Sequence, residues 1–193
     1  MTERPLRADA ARNRDKLLDA ATRLFIEQGL DATVDAIAKE AGVGPGTVYR
    51  HFPSREALIE AAYRSELDAV CDAAAILLET ESPENALRTW MDKFIDYMTK
   101  KIGMGDVLRM IMSSGATPYA HSRERLNAAI ELLLDATAKA GKTRSDAVAD
   151  DVLMTLSGIA TTSGAPSQQV QARRMLNLLF DGLRYQEMPS PQR

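Results

Sequence analysis

Hydrophobic residues recur along this chain at spacings of three and four, which is the period of a helix with one buried face. The first such segment predicts a helix from about Asp9 to Gln28, and Gly29 follows where a left-handed residue ends many helices. Thr33 is a favourable N-cap for a second helix, and Pro45 suits the first turn of a short third helix that ends near His51. The beginning of the chain is therefore predicted to form three helices.

The rest of the chain keeps the helical period. No segment alternates apolar and polar residues as a half-buried strand does. Further helix starts are indicated at Ser54, at Ser82-Pro83, after the Gly103–Gly105 turn, at Thr117-Pro118, at Ser145-Asp146 and near residue 168. The pattern predicts an all-α fold of about nine helices.

The composition and motifs of the chain argue against several classes of function. The 193 residues include one cysteine, Cys71, and two histidines, so neither an internal disulfide nor a zinc cluster is expected. The chain has no phosphate-cradling glycine loop and no nucleophile elbow, which argues against an enzyme. No apolar run reaches the roughly 18–20 residues of a membrane span, and the polar N-terminus is unlike a signal peptide. We expect a cytoplasmic protein that uses no cofactor and no metal.

The net charge of −3 by itself argues against a nucleic-acid partner. The charge is unevenly divided, however. Residues 1–55 contain nine basic and eight acidic side chains, whereas the other 138 residues contain 15 and 19. A compact basic face can therefore exist within a nearly neutral N-terminal segment, and charge alone does not decide the question.

The segment from Thr33 to Ala57, TVDAIAKEAGVGPGTVYRHFPSREA, joins two short helices through a glycine-containing turn, which is the pattern of a helix-turn-helix. Gly42 supplies the backbone conformation that the turn needs, and Val43 is predicted to fill the angle between the helices. The side chains predicted to face inward, against the first helix, are those of Ile37, Val48 and Phe52. The third helix is then placed to read DNA.

The outward face of the third helix suits a duplex. Its first residues are small and would let the backbone approach base edges, and its hydroxyl, phenol and imidazole groups can donate to phosphates. Arg50 is the one long donor able to reach a guanine with two hydrogen bonds. The residues of this face are Pro45, Gly46, Thr47, Tyr49, Arg50 and His51.

Other interpretations of these side chains are open. Tyr49 can be a packed aromatic residue, His51 a partly buried histidine with satisfied hydrogen bonds, and Arg50 a solvated charge. The interpretation of the basic N-terminal segment is open as well, because its arginines can be solvated, neutralise phosphates or enter a minor groove. These arginines are Arg4, Arg7, Arg12 and Arg14.

The run LFIEQGLDATVDAIA and the later run AGVGPGTVYRHFPSREAL resemble the DNA-binding domain of the TetR family of transcriptional regulators, over roughly residues 11–60. The resemblance implies a DNA-binding domain over residues 1–55, with its motif at about 33–52, and a helical ligand-binding and dimerisation domain over 56–193. It also implies a homodimeric repressor that binds a palindromic operator in double-stranded DNA and is released by a small-molecule ligand.

The resemblance also assigns roles by position. Phosphate contacts are implied at Thr33, Tyr49, His51 and Arg55. Contacts with bases or with the adjoining backbone are implied at Pro45, Gly46, Thr47 and Arg50. Gly44 departs from the family pattern, in which serine or another polar residue is common, so this chain lacks a side-chain contact or cap at the start of the helix.

Five of the nine methionines lie within residues 91–112, and soft side chains suit a pocket for an irregular apolar ligand. Because the resemblance implies a pocket between the middle helices, we predict a largely apolar small molecule as the ligand. The alternative for each apolar residue is the ordinary protein core. The predicted contacts are Trp90, Phe94, Tyr97, Met98, Met110 and Ile111, with Arg109, His121 and Asn127 as polar candidates.

The last two helices, which contain VLMTLSGIA and MLNLLF, are apolar over more than one face. A helix that is apolar over a wide arc needs two partners, here its own core and a second subunit. Gly158 is a position where helices can approach closely. The dimer-interface candidates, for each of which core alone is the alternative, are Leu153, Leu156, Leu176, Leu179, Phe180 and Leu183.

These predictions give a mechanism of population shift. A ligand held among helices 4 to 7 would change the tilt of helix 4, which begins at Ser54 directly after the recognition helix. The two recognition helices of the dimer would then leave the separation of about 34–36 Å that successive major grooves require. A DNA-binding protein without ligand control and a transcriptional activator are the alternatives that the sequence leaves open.

Overall fold

The computed structural model describes residues 3–163 and 168–184, with side chains from Ala11 onward except that of Gln169. Within these ranges the chain forms nine α-helices, one 3-10 turn at Gly29–Asp31 and no β-strand, which confirms the all-α prediction. In chain order the helices are α1 (Glu3–Gln28), α2 (Val34–Glu40), α3 (Pro45–His51), α4 (Arg55–Thr80), α5 (Pro83–Gly103), α6 (Gly105–Ser113), α7 (Ser122–Lys139), α8 (Ala149–Ser163) and α9 (Gln169–Arg184).

Predicted start signals do cap the early helices. The side-chain oxygens of Thr33 and Ser54 accept hydrogen bonds from the backbone N–H groups of Ala36 and Ala57, both at 3.1 Å. Pro45 lies in the first turn of α3, as expected. A cap of this kind contributes about 1 kcal/mol to stability, so these local signals fix where α2 and α4 begin.

Two helices start at positions that the sequence did not predict. α1 begins at Glu3 rather than near Asp9. α7 begins at Ser122 rather than directly after Pro118, because the intervening residues form a turn that ends at His121 with a φ of 60°. A residue in this left-handed conformation cannot continue a right-handed helix, so the helix begins after it.

The start of α8 also differs from the prediction. The helix begins at Ala149 rather than at Ser145. The backbone N–H of Arg144 donates to the carbonyl oxygen of Leu183 on α9 at 2.8 Å, and the guanidinium of Arg144 pairs with Asp146. These contacts hold the residues before α8 in a connection that turns toward α9.

Contacts between Cα atoms divide the chain into two compact units. The first unit contains Met1–Leu67 and Lys100–Ala120, and the second contains Asp68–Thr99 and His121–Arg193. Helices α4 and α5 each contribute residues to both units. The domain boundary at residue 55 stays a prediction.

In the first unit, α2 packs against both α1 and α3. The α1 side chains Leu17 and Phe25 are buried, and so are Ile37, Val48 and Phe52, the three residues predicted to face inward. α6 packs against the 3-10 turn that follows α1. The recognition motif therefore shares one compact unit with α6.

The guanidinium of Arg55, the first residue of α4, holds the connection between α1 and α2. It donates hydrogen bonds to the carbonyl oxygen of Leu30, at 2.7 Å, and to that of Ala32. Its Cζ lies 5.7 Å from the centroid of the Phe25 ring on α1. Carbonyl groups near helix ends lack partners within the helix, and Arg55 supplies a charged donor to two of them.

Trp90 is a core residue of the second unit. Its side chain is fully buried, and its indole N–H donates to the carbonyl oxygen of Val70 on α4 at 2.8 Å. Its ring stacks on that of Phe94, one turn further along α5, with 5.6 Å between the centroids. In the same unit α8 packs against both α7 and α9. The buried hydrogen bond therefore ties α5 to α4 in the core of the second unit.

We expect Trp90→Phe to lower the free energy of unfolding by about 2–3 kcal/mol, because it leaves a cavity and removes the hydrogen bond to Val70. Urea unfolding followed by circular dichroism measures this loss, since Trp90 is the only tryptophan and its fluorescence would disappear. The control is Ile76→Ala, at a position 58% exposed, which should change that free energy by less than about 0.5 kcal/mol. Equal urea midpoints for the two variants would contradict the core role of Trp90.

We expect Arg55→Met to lower the free energy of unfolding by about 1–3 kcal/mol, because the carbonyl groups of Leu30 and Ala32 lose a charged donor. Arg50→Met is the matched control, since the hydrogen bonds of Arg50 stay within α3. Differential scanning calorimetry at equal protein concentration compares the two variants. A Tm for Arg55→Met as high as that of the control would show that these bonds do not hold the unit together.

Candidate functional site

The turn between α2 and α3 has the backbone geometry of the predicted helix-turn-helix. Gly42 adopts a φ of 70°, and the N–H of Val43 donates to the carbonyl oxygen of Ala38 at 2.9 Å. α3 then begins at Pro45, after the extended residue Gly44. A side chain at Gly42 would be strained, so this glycine fixes the direction in which α3 leaves the turn.

The exposed face of α3 carries the residues predicted to read DNA. Pro45 and Gly46 are exposed, Thr47 is half-buried, and the side chain of Tyr49 is 55% exposed. Beyond the local helix, no described atom lies within 4 Å of the position that a Cβ on Gly46 would occupy. A duplex can therefore approach the backbone of this first turn without meeting a side chain of the protein.

Arg50 lies along α3 on this same face. Its Nε donates to the carbonyl oxygen of Gly46 at 3.3 Å, and its Nη2 donates to Oγ1 of Thr47 at 3.0 Å. The structure thus brings together three of the residues predicted to contact bases. Both hydrogen bonds are exposed to water, and such bonds contribute little net stability, so the guanidinium can exchange them for a base edge.

Thr33 and His51 lie at the two ends of the motif. Thr33 is exposed, and because its oxygen accepts from Ala36, its hydroxyl hydrogen is left to donate to a phosphate. His51 is half-buried, and its ring centroid lies 6.1 Å from that of Phe52. Arg14 of α1 reaches the same end of α3, with its Cζ 5.6 Å from the centroid of the Phe52 ring.

Arg55 stands apart from the other predicted phosphate contacts. Its guanidinium is already bonded to the carbonyl oxygens of Leu30 and Ala32, so a phosphate would have to use the donors that remain. The phosphate contact at Arg55 stays a prediction. The side chains of Arg4 and Arg7, from the predicted basic segment, lie outside the described residues.

The predicted ligand contacts fall into the two units of the structure. Trp90, Phe94, Tyr97 and Met98 belong to the second unit and are buried there. Ile111, fully buried, and Met110, half-buried, belong to the first unit. The rings of Trp90, Phe94 and Tyr97 follow one another along α5, with centroid distances of 5.6 and 5.9 Å. A core role accounts for these aromatic residues, and contact with a ligand stays a prediction for each.

The polar residues proposed to orient a ligand are each bonded to a carboxylate. Arg109 pairs with Asp106, and Nδ1 of His121 lies 2.9 Å from Oε2 of Glu124. Asn127 donates to Oδ1 of Asp150 at 3.0 Å. Arg123 also binds Asp150 through two donors, and these hydrogen bonds lower the pKa of Asp150 to about 2. The three candidates are therefore held in surface ion pairs and hydrogen bonds of the protein itself.

The structure places most of the predicted dimer contacts in the core of the second unit. Leu153, Leu156, Leu176, Phe180 and Leu183 are buried, and Leu179 is half-buried. The apolar side chains that α8 and α9 leave exposed are different ones, and sequence reasoning missed them. They are Met154, which is 55% exposed, Leu178, which is 74% exposed, and Val170. For Met154 and Leu178 the signal in the sequence was a glycine four residues later in the same helix, Gly158 and Gly182.

Residues 3–163 and 168–184 also limit the other kinds of site that this part of the chain can form. No described helix is long and apolar enough to cross a bilayer. The described His, Cys, Asp and Glu side chains form no group of three or more able to hold a metal ion. Burial raises the pKa of the half-buried Cys71 thiol to about 11, so at neutral pH this thiol is protonated and a poor nucleophile.

Two family models match the chain, that of bacterial regulatory proteins of the tetR family over residues 17–62 and that of the C-terminal domain of SbtR-like transcriptional regulators over residues 82–185. The structure is similar to that of a TetR transcriptional regulator from Streptomyces coelicolor, at 52% identity and a TM-score of 0.87, covering 90% of this chain and 99% of that one. It is also similar to a TetR regulatory protein from Mycobacterium vanbaalenii, at 33% identity and a TM-score of 0.78, covering 94% and 100%.

A curated relative gives a shorter match. The regulator UidR of Escherichia coli is 33% identical over 98 residues, which are 50% of this chain and 44% of that protein. The chain thus matches less than half the length of this relative.

The tetR match covers the helix-turn-helix described above, and the SbtR-like match alone covers more than half of the chain. Regulators of this family bind DNA, are typically dimeric and bind ligands, and the family is not one of enzymes. The chain therefore belongs to the TetR family and is a DNA-binding transcriptional regulator.

Proposed function

We propose that this protein is a homodimeric repressor, which binds a palindromic operator in double-stranded DNA in the cytoplasm and leaves it when a largely apolar small molecule binds. The observation that carries the proposal is the exposed face of α3, where Gly46, Thr47 and Arg50 are in contact and Tyr49 extends into solvent. Family membership supports the same function, since TetR regulators bind DNA through this motif.

On this face the side chains divide into two roles. Arg50 is the base reader, because its planar guanidinium can donate two hydrogen bonds to a guanine. Tyr49 and Thr33 position the protein by donating hydroxyl groups to phosphates. Gly46 allows the backbone to come close, since no described atom beyond the local helix fills the space above it. Sequence preference then depends on Arg50 and Thr47, and overall affinity depends on the phosphate contacts.

The exposed apolar surface of α8 and α9 supports a dimer. Met154 and Leu178 project into solvent, and no described atom beyond the local helix lies within 4 Å of the Cβ positions of Gly158 and Gly182, so a second pair of helices can approach closely there. Beside Leu178 is a groove of about 440 Å³, lined by residues of α8, α9 and the connection before α8. Its lining includes Val148, Val152, Thr155, Leu179 and Gly182, together with the charged residues Arg144, Asp146 and Asp151.

We assign this groove to a second copy of the chain. In a two-fold symmetric dimer the same surface meets itself, so Leu178 of each protomer would enter the groove of its partner. Apolar side chains together with a smaller number of charged ones are usual in such an interface. The side chains that were predicted to form the interface support it from beneath, since Leu153 and Leu176 are buried under the exposed face.

Release from DNA follows from the placement of α4 and α6. α3 ends at His51 and α4 begins at Arg55, so a change in α4 is passed directly to the recognition helix. α6 packs against the 3-10 turn, and Ile26 lies so close to Gly103 that an added Cβ would be 3.0 Å from its Cγ2. A ligand that binds better to a second arrangement of these helices shifts the population away from the DNA-binding form.

We expect Arg50→Ala to weaken binding to the operator by about 1–3 kcal/mol, roughly 5- to 150-fold, and to leave binding to a scrambled duplex nearly unchanged, because Arg50 reads a base. Fluorescence anisotropy with labelled DNA that flanks the protein's own gene measures both affinities at two salt concentrations. Tyr49→Phe should instead weaken both complexes equally, because it removes only a phosphate donor. Lys139→Ala, which removes a positive charge from the end of α7, is the control and should change neither affinity. An equal loss on both duplexes for Arg50→Ala would contradict the base-reading role.

We expect Leu178→Glu to convert the dimer to a monomer of 21.1 kDa, because it buries an unpaired charge at the centre of the proposed interface. Sedimentation equilibrium at micromolar protein concentration measures the mass. Ile76→Glu places the same charge on an exposed apolar position of α4 and should leave the dimer intact. A Leu178→Glu protein that keeps the dimeric mass would assign the interface to another surface.

A further inference from the structure

Lys101 is a half-buried lysine of the first unit whose ammonium group has no carboxylate partner among the described residues. It lies in the last turn of α5, is half-buried, and has its Nζ 4.5 Å from the centroid of the Tyr119 ring. Among the described residues no carboxylate lies within ion-pair distance of it. Burial lowers the pKa of this ammonium, as expected for a charge that has lost water and gained no counter-charge.

The neighbouring cations of the same unit are paired. Nζ of Lys100 lies 2.7 Å from Oε2 of Glu66, and Arg109 is bonded to Asp106. The carboxylates of this region are therefore already engaged, whereas the positive charge of Lys101 is balanced only by an aromatic ring. Because this surface pairs two cations and leaves Lys101 without a described carboxylate, it has an excess of positive charge for an anion to meet.

The ammonium group of Lys101 lies next to a pair of packed tyrosine rings. The ring of Tyr119 packs edge to face on that of Tyr63, with 5.2 Å between the centroids. Tyr63 is buried on α4, while Tyr119 is 36% exposed and belongs to the connection between α6 and α7. The two tyrosines thus form an apolar surface that begins in the core and ends at solvent, with Lys101 at its outer edge.

We propose that Lys101 and the Tyr63–Tyr119 pair form a binding site for a small organic anion, whose carboxylate accepts hydrogen bonds from Nζ of Lys101 and whose apolar body lies against the tyrosine rings. A carboxylate offers the ammonium a charge-assisted hydrogen bond, which is stronger than contact with a ring face. The anion therefore replaces the Tyr119 ring as the partner of Lys101. The flat rings favour an aromatic body over an aliphatic one, because aromatic pairs gain energy beyond their buried area.

The effect of this site on DNA rests on the proposed ligand-released repression, whereas binding of the anion does not. Tyr119 lies in the segment that leads from α6 to α7, and α6 packs against the 3-10 turn beside the recognition motif. Displacing Tyr119 from Lys101 would free this segment to move. The ligand that the proposed repressor senses is then an aromatic carboxylate.

Isothermal titration calorimetry of the full chain with benzoate, and with the neutral benzamide of the same shape, tests the site without DNA. We expect benzoate to bind at least about tenfold more tightly than benzamide or inorganic phosphate, which corresponds to about 1.4 kcal/mol. Lys101→Met should weaken benzoate at least tenfold and leave benzamide unchanged. Lys93→Met, at an exposed lysine of the same helix, should bind benzoate like the unmodified protein.

Stability separates loss of the site from loss of the fold. Lys101→Met should unfold at a Tm no lower than that of the unmodified protein, because it removes an uncompensated charge, and Lys101→Arg should keep benzoate binding. The site is refuted if the unmodified protein does not bind benzoate, if benzamide or phosphate binds as well, or if Lys101→Met binds benzoate normally.

Anisotropy with operator DNA then separates this inference from the proposed function. Saturating benzoate should lower operator affinity for the unmodified protein and leave that of Lys101→Met unchanged. Benzoate binding that requires Lys101 and has no effect on DNA would support the site and refute its place in release. DNA binding that is absent in every protein would instead refute the repressor, whatever the calorimetry gives.

Discussion

The guanidinium of Arg55 joins several segments of the first unit at one point. It lies over the ring of Phe25 on α1, bonds the carbonyl oxygens of Leu30 and Ala32 on either side of Asp31, and belongs to the residue that begins α4. Because α2 and α3 follow directly from this connection, the direction in which the recognition helix leaves α1 depends on it. The residue that the family resemblance assigns to a phosphate contact thus also holds the connection from which α2 and α3 follow.

Much of the fold could be predicted because its signals are local. The apolar period gives the helices, and caps such as Thr33 and Ser54 act over three residues, so they are visible in the sequence. The starts of α7 and α8 could not be predicted, because they depend on contacts and conformations that the sequence does not encode locally. His121 adopts a left-handed backbone without being a glycine, and Arg144 bonds to Leu183, which is distant in sequence.

The candidate sites likewise include residues that could be predicted from the sequence and residues that could not. The two faces of α3 could be separated because Val48 and Phe52 are large and apolar among small or polar neighbours. On α8 and α9 the buried and exposed faces cannot be separated in this way, because both carry large apolar residues. Buried Leu153 is followed by exposed Met154, and exposed Leu178 is followed by half-buried Leu179. Adjacent helical residues point about 100° apart, so two adjacent apolar residues make a wide apolar arc. The sequence does not indicate which part of such an arc faces a second subunit. Lys101 and Tyr119 belong to different segments, and only the folded chain brings them together.

The bare backbone at the start of α3 has a consequence for how this regulator can evolve. Gly44 and Gly46 both have empty space where a Cβ would be, and neither has a positive φ. In the proposed complex, a side chain added at either position would meet DNA before it met any described part of the protein beyond the local helix. A serine at Gly44 would gain a few tenths of a kcal/mol as a better helix cap, and an alanine at Gly46 would recover up to about 1 kcal/mol of helix propensity. On the proposed function, operator preference can therefore drift at these two positions with no loss of stability to oppose it, so closely similar folds can come to control different genes.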